Sequence, residues 1–122
     1  MNNKLFKTKK LTVIKNKKGN IYKMVSRNHQ FFKKFGEIYF SEVSPGKFKG
    51  WKFHEKRTQI MTVISGKIRF FFKKKISDKP KQIDISFSKK IKLLKIEPKV
   101  FYSFKCLSKK KSLIVNLIDE VI

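Results

Sequence analysis

Helical periodicity is almost absent from this chain, and that absence restricts its fold more than any other feature. Short runs rich in Val, Ile, Phe and Tyr recur instead, separated by polar or Gly/Pro breaks, as in strands joined by tight turns. The pattern predicts strands over 11–15, 21–26, 37–43, 48–54, 59–65, 67–73, 83–87, 92–96, 100–105 and 113–117. Lys17-Lys18-Gly19-Asn20 and Ser65-Gly66 read as hairpin turns. Ser44-Pro45-Gly46 is a further break, 77–82 a longer polar loop, and 28–34 a loop or a short helical turn. Some ten short strands in 122 residues predict one all-β domain over 1–122, a sandwich or barrel, with an N-terminal arm over about 1–18.

Composition excludes several classes. Apolar residues make up 40% of the chain, including 13 Phe, too many for a disordered protein. No run approaches the ~20 apolar residues of a membrane-spanning helix, and Met1–Lys10 lacks the apolar stretch of a secretory leader. The single cysteine, Cys106, allows no internal disulfide, and a reducing cytoplasm is the expected setting.

The formal charge of +24 attracts polyanions. Yet only Arg27, Arg57 and Arg69 among the 32 basic residues are arginines, and the chain has no Ala. That bias resembles an AT-rich coding sequence. Sequence-reading proteins favour Arg, whose fork pairs bidentately with phosphate and guanine. No specific nucleic-acid partner is therefore expected. A basic barrel that stacks single strands on its interleaved Phe side chains stays open as an alternative.

The informative stretch is GKFKGWKFHEKRTQIMTVISG, from Gly46 to Gly66. Gly46 is followed by five residues, Lys52-Phe53-His54, four residues, Gln59, six residues and Gly66. Further on, Glu97-Pro98-Lys99-Val100-Phe101-Tyr102-Ser103 precedes a last apolar run ending at Asn116-Leu117. These spacings resemble the two sequence motifs of the cupins. Lys52 stands at the first motif's first His, Gln59 at its Glu and Ser103 at the second motif's His. The order of segments from Gly19 to Asn116 is similar to short, divergent members of the dTDP-4-dehydrorhamnose 3,5-epimerase family and to the related dTDP-sugar 3,4-ketoisomerases.

The resemblance implies a cupin-type double-stranded β-helix, a jelly-roll barrel. It implies an isomerase, an epimerase or keto-isomerase, acting on a nucleotide-linked 4-keto-6-deoxy sugar used in surface polysaccharides. It also implies a homodimer, with a nucleotide-diphosphate sugar as partner. In such enzymes a base, usually His, takes the proton beside the sugar ketone, and a Tyr acts as acid. Here the candidates are His54 and Lys52 as base or polarising group and Tyr102 as acid. Lys49 and Arg69 are candidates for the pyrophosphate. Gln59, Phe104 and Asn116 are further substrate-binding candidates. One His beside an ammonium group suits no transition metal, so no metal and no cofactor are expected.

Strand alternation independently places Gly50, Lys52 and His54 on one face and Trp51 and Phe53 on the other. Gln59, Met61 and Val63 share a face, as do Val100, Tyr102 and Phe104. Trp51 is expected in the core, His29 on the surface and Cys106 as a packed thiol. A catalytically silent sugar-nucleotide binder is the other alternative, because Lys52 replaces a His.

Overall fold

A computed structural model describes residues 5–88 and 90–121. All strand pairing is antiparallel, and no described residue is helical. The strands are β1 (Phe6–Lys10), β2 (Thr12–Ile14), β3 (Ile21–Lys23), β4 (Glu37–Val43), β5 (Phe48–Lys52) and β6 (Gln59–Ser65). They continue with β7 (Lys67–Lys73), β8 (Lys81–Ser86), β9 (Lys92–Ile96), β10 (Phe101–Cys106) and β11 (Ser112–Ile118). A five-stranded sheet runs β1-β9-β6-β11-β4, a four-stranded sheet runs β5-β10-β7-β8, and β2 pairs with β3.

The two larger sheets face each other over one core, as alternating strands with one apolar side must. Met61 and Val63 of β6, Leu94 and Ile96 of β9 and Ile114 of β11 point in from one sheet. Ile68, Phe70 and Phe72 of β7 and Tyr102, Phe104 and Cys106 of β10 meet them from the other. A second apolar cluster lies on the back of the five-stranded sheet, where Ile60, Leu93 and Leu117 pack with Leu11, Phe31 and Ile91. Tyr22 of β3, Met24, Val25 and Phe32 cover it. This is why the residues of β6 are buried on both faces near its start.

The expected N-terminal arm contains a strand, β1, that the sequence pattern does not predict. Within the arm's described part, β1 pairs with β9 and β2 with β3. Phe6 stacks on Phe72 with ring centroids 4.2 Å apart, while Lys7, Lys9 and Lys10 face solvent. A short Lys-rich edge strand resists pairing with another chain, and the same lysines hide its strand character in the sequence. Met1–Lys4 lie outside the described residues. The other differences are at strand ends: β5 stops at Lys52, and β8 starts at Lys81, inside the expected loop. The 28–34 segment forms turns, closed by His29 N donating to Ser26 O and Phe32 N donating to His29 O. Among the described residues no helix is long and apolar enough to cross a membrane.

Candidate active site

The site begins with an irregularity in β5. In its pairing with β10, Lys52 stands opposite Tyr102 and Lys49 opposite Phe104, with a register shift between them. Two residues, Gly50 and Trp51, thus oppose Ser103, which is the signature of a β-bulge. Strict alternation would send Lys49 and Lys52 to opposite faces. The bulge turns both inward, onto the face of Tyr102 and Phe104, and leaves Phe48 and Trp51 outside. Gly50 is required there: its φ is +123°, and a Cβ on it would lie 2.6 Å from Ser103 Cβ.

Inside, Lys52, Tyr102 and Phe104 face Tyr39 and Ser41 of β4, Met61 of β6, and Ile114 and Asn116 of β11. They line a cleft with about 20 Å³ of free space, room for little more than one water. Lys52 Nζ lies 5.8 Å from the centre of the Phe104 ring. Lys49 Nζ spans the gap between the sheets, donating to Glu42 O at 2.6 Å and approaching Ser41 Oγ at 3.5 Å.

A chain of hydrogen bonds runs behind the cleft. Arg57 Nη1 lies 3.2 Å from His54 Nδ1, and His54 Nε2 lies 3.2 Å from Tyr102 Oη. Because a guanidinium only donates, Nδ1 must accept, and a neutral His54 therefore carries its proton on Nε2 and points it at Tyr102. Tyr102 Oη donates to Gln59 Oε1 at 3.0 Å, and Asn116 Nδ2 donates to the same oxygen at 2.9 Å and to Tyr39 Oη at 3.0 Å. Asn116 Oδ1 is buried and finds no partner among the described residues.

This setting shifts the titrating groups. Desolvation, then the Lys49 charge, lowers the pKa of Lys52 below its ordinary value. His54 is also lowered, by desolvation first and then by Arg57 and Lys52, so it is neutral at pH 7. Burial pushes Tyr102 up to about 12, against the hydrogen bond to Gln59, so its hydroxyl stays protonated. The cleft thus combines an amine whose pKa is lowered with a phenol that keeps its proton.

The structure brings Lys52, Tyr102, Phe104 and Asn116 together around the cleft and sets Lys49 at its rim. Gln59 is fully buried behind them and orients Tyr102 and Asn116. His54 lies past the end of β5 and lines a separate depression with Phe53, Glu55, Lys56, Arg57 and Glu120. It supports Tyr102 from behind.

Arg69 is not in the site. It sits on the outer face of β7, and its Nε and Nη2 grip Asp84 at 2.8 and 3.0 Å. Residue parity explains this, since Arg69 alternates with the inward Ile68 and Phe70. Ser103 likewise points away from the cup, and its buried Oγ has no partner among the described residues. Trp51, expected in the core, is half-buried on the outside.

Sequence reasoning missed Arg57, Tyr39 and Ser41. Alternation in 37–43 does carry a signal, because Tyr39 and Ser41 share the inward face with Val43.

A metal does not fit this donor set. The one imidazole has both ring nitrogens engaged, its nearest companion in the first motif is the Lys52 ammonium, and Gln59 and Ser103 offer no anionic ligand. Among the described residues no three His, Cys, Asp or Glu side chains form a metal-binding group.

No protein-family model matches the sequence, and no curated protein is significantly similar to it. Solved structures do match. A dTDP sugar isomerase from Desulfovibrio desulfuricans G20 aligns over 96% of this chain and 78% of its own, with 29% identity and a TM-score of 0.87. A sugar 3,4-ketoisomerase from Thermoanaerobacterium thermosaccharolyticum, solved with TDP, aligns over 96% of this chain and 82% of its own, with 21% identity and a TM-score of 0.78. A dTDP-4-dehydrorhamnose 3,5-epimerase from Bacillus anthracis, solved with TDP and PPi, aligns over 94% of this chain and 72% of its own, with 14% identity and a TM-score of 0.82. The antiparallel two-sheet barrel described above is therefore the cupin fold that these dTDP-sugar isomerases and epimerases share.

Proposed function

We propose that this chain is an isomerase of a dTDP-linked keto-sugar, and that Lys52 and Tyr102 move the proton. The observation that carries the reading is their meeting in one narrow cleft, opposite each other across the β5–β10 pair. Lys52, in its deprotonated form, takes the proton from the carbon beside the ketone. The Tyr102 hydroxyl donates to the oxygen on which negative charge develops. Reprotonation of the same carbon on its other face gives an epimer. In an α-hydroxy ketone, the enediol takes a proton back at the former carbonyl carbon while the neighbouring hydroxyl returns its own to Tyr102, which gives the shifted ketone. His54 and Gln59 are positioning residues, because they touch Tyr102 and not the cleft. Asn116 Oδ1, a buried acceptor without a partner, suits a sugar hydroxyl. Lys49 at the rim suits the pyrophosphate.

The free space is too small for a sugar ring, so the substrate seats at the mouth and displaces the flexible Lys52 arm. That narrowness also favours a second reading, a binder without turnover. Incubation with a dTDP-4-keto-6-deoxy sugar in deuterated water separates the two. Deuterium entering the ring carbon beside the ketone supports the isomerase. Binding without exchange leaves the silent binder, and no binding of either the sugar or dTDP refutes both.

The same proposal includes a cytoplasmic homodimer. Ile38 and Phe40 stand 51% and 67% exposed on the outer face of the edge strand β4, a surface suited to a second copy. Light scattering of Phe40→Glu should then show a monomer where the unmodified chain gives a dimer, and a monomeric unmodified chain refutes the pairing.

A further inference from the structure

We propose that the outer face of the four-stranded sheet binds single-stranded nucleic acid without sequence preference, its bases stacking on Phe48, Trp51 and Phe71. This surface lies on the side of β5 and β10 opposite the cleft and is independent of the isomerase reading.

The β5 bulge builds it. Phe48 and Trp51 both point outward, with their ring centres 6.3 Å apart, and Phe71 of β7 lies 6.1 Å from Phe48. Phe53 and Phe101 extend the array at 4.7 Å from each other. Phe48 is 48% exposed and Phe53 38%, although the cores on either side of the other sheet bury comparable side chains. An outward row of rings on a four-stranded antiparallel sheet is a platform on which unpaired bases stack.

Cations alternate with the rings. Lys73 Nζ lies 4.3 Å from the centre of Trp51, Lys105 stands opposite Phe48 in register, and Lys67 lies two residues before Arg69 on the same face of β7. Asp84 is the only carboxylate carried by these four strands, and Arg69 neutralises it. Rings flanked by uncompensated ammonium groups match a chain of bases and phosphates. Lys acts on phosphate as a point charge and lacks the planar fork that reads base edges, so the binding carries no sequence preference. A second copy of the chain is a poor occupant, because this face would meet its own lysines.

Trp51 is the only tryptophan in the chain, so its fluorescence reports on this face alone. The test titrates the intact protein with oligothymidylate, oligouridylate and heparin, a polyanion without bases. Both oligonucleotides should quench Trp51, and heparin should leave its emission unchanged at saturation. Phe48→Ala should weaken oligonucleotide affinity about tenfold, as loss of one stacked base does. Ile21→Ala, exposed on β3 away from this sheet, should leave oligonucleotide affinity unchanged. Equal quenching by heparin, or Phe48→Ala binding oligothymidylate as the parent does, would overturn the proposal in favour of bulk charge. Dimerisation that Phe48→Ala abolishes would also overturn it, in favour of a protein interface.

Discussion

The two faces of the four-stranded sheet are made by alternate residues of the same strands and differ in almost everything else. Inward, β7 and β10 present Phe70, Phe72, Tyr102 and Phe104, which close a dry core around one polar relay. Outward, the same strands present Phe71, Lys73, Phe101 and Lys105, a half-exposed mixture of rings and ammonium groups. Both faces carry aromatic rings, so aromatic content alone does not separate them. Position relative to the other sheet does. The bulge at Gly50-Trp51 sharpens the contrast by sending Lys49 and Lys52 inward and Phe48 and Trp51 outward.

Substitutions in the cup should have the largest effects. Lys52→Met removes the proposed base while keeping the length of the side chain, and isomerase turnover should fall by about 10²–10⁴-fold in a deuterium-exchange assay. Tyr102→Phe should lose a similar factor. His54→Ala should cost less, because it leaves both proton-moving groups in place. Equal loss in His54→Ala and Lys52→Met would return the role of base to His54.

Stability should divide the two faces next. Phe70→Ala opens a cavity in the shared core and should cost about 3–5 kcal/mol in urea unfolding. Phe48→Ala, half-exposed outside, should cost about 1 kcal/mol or less. Gly50→Ala tests the device that joins the faces: its Cβ would press on Ser103, with a cost of about 1–3 kcal/mol. It should impair both keto-sugar exchange and Trp51 quenching. A Gly50→Ala protein with full stability and both activities would remove the bulge from the explanation.

The pH profile should show a smaller but diagnostic change. A Lys52 base works when deprotonated, and its pKa is lowered from 10.5, so kcat/KM should rise with pH up to that lowered value. It should fall again only as Tyr102 ionises, at about 12. A His54 base would instead give an inflection below 6.5, because its pKa is lowered from that value. An inflection there that vanishes in His54→Ala would contradict the assignment to Lys52. The smallest effect belongs to Arg69→Gln, outside the cup. It should leave turnover unchanged and barely move the urea-unfolding midpoint, as loss of an exposed ion pair does.

Much of this was legible without coordinates. Apolar patterning located 37–43, 59–65, 67–73 and 92–96 at the bounds found for β4, β6, β7 and β9: β4 and β7 keep the period of two, while β6 and β9, buried on both faces, read as short apolar runs between polar breaks. The cupin resemblance and strand alternation together pointed to Lys52, His54, Gln59 and Tyr102 as one group, of which Lys52 and Tyr102 line the cleft while Gln59 and His54 stand behind Tyr102. β1 was not legible, since four of its five residues are polar and only Phe6 reaches the core. Arg57 was not legible either, because its role rests on the approach of Nη1 to His54 Nδ1 in a loop without periodicity.

The sequence by itself determined the all-β class and the places of β2 to β11, because these rest on residue type and local period. Only the tertiary structure decided what each side chain does. Sheet packing removed Arg69 and Ser103 from the cup, and one bulge brought Lys49 into it. A guanidinium three residues after His54 set the direction of its ring protons and so moved the proposed base to Lys52. Those outcomes depend on distances between strands far apart in the chain, where a single extra residue reverses which face a side chain meets.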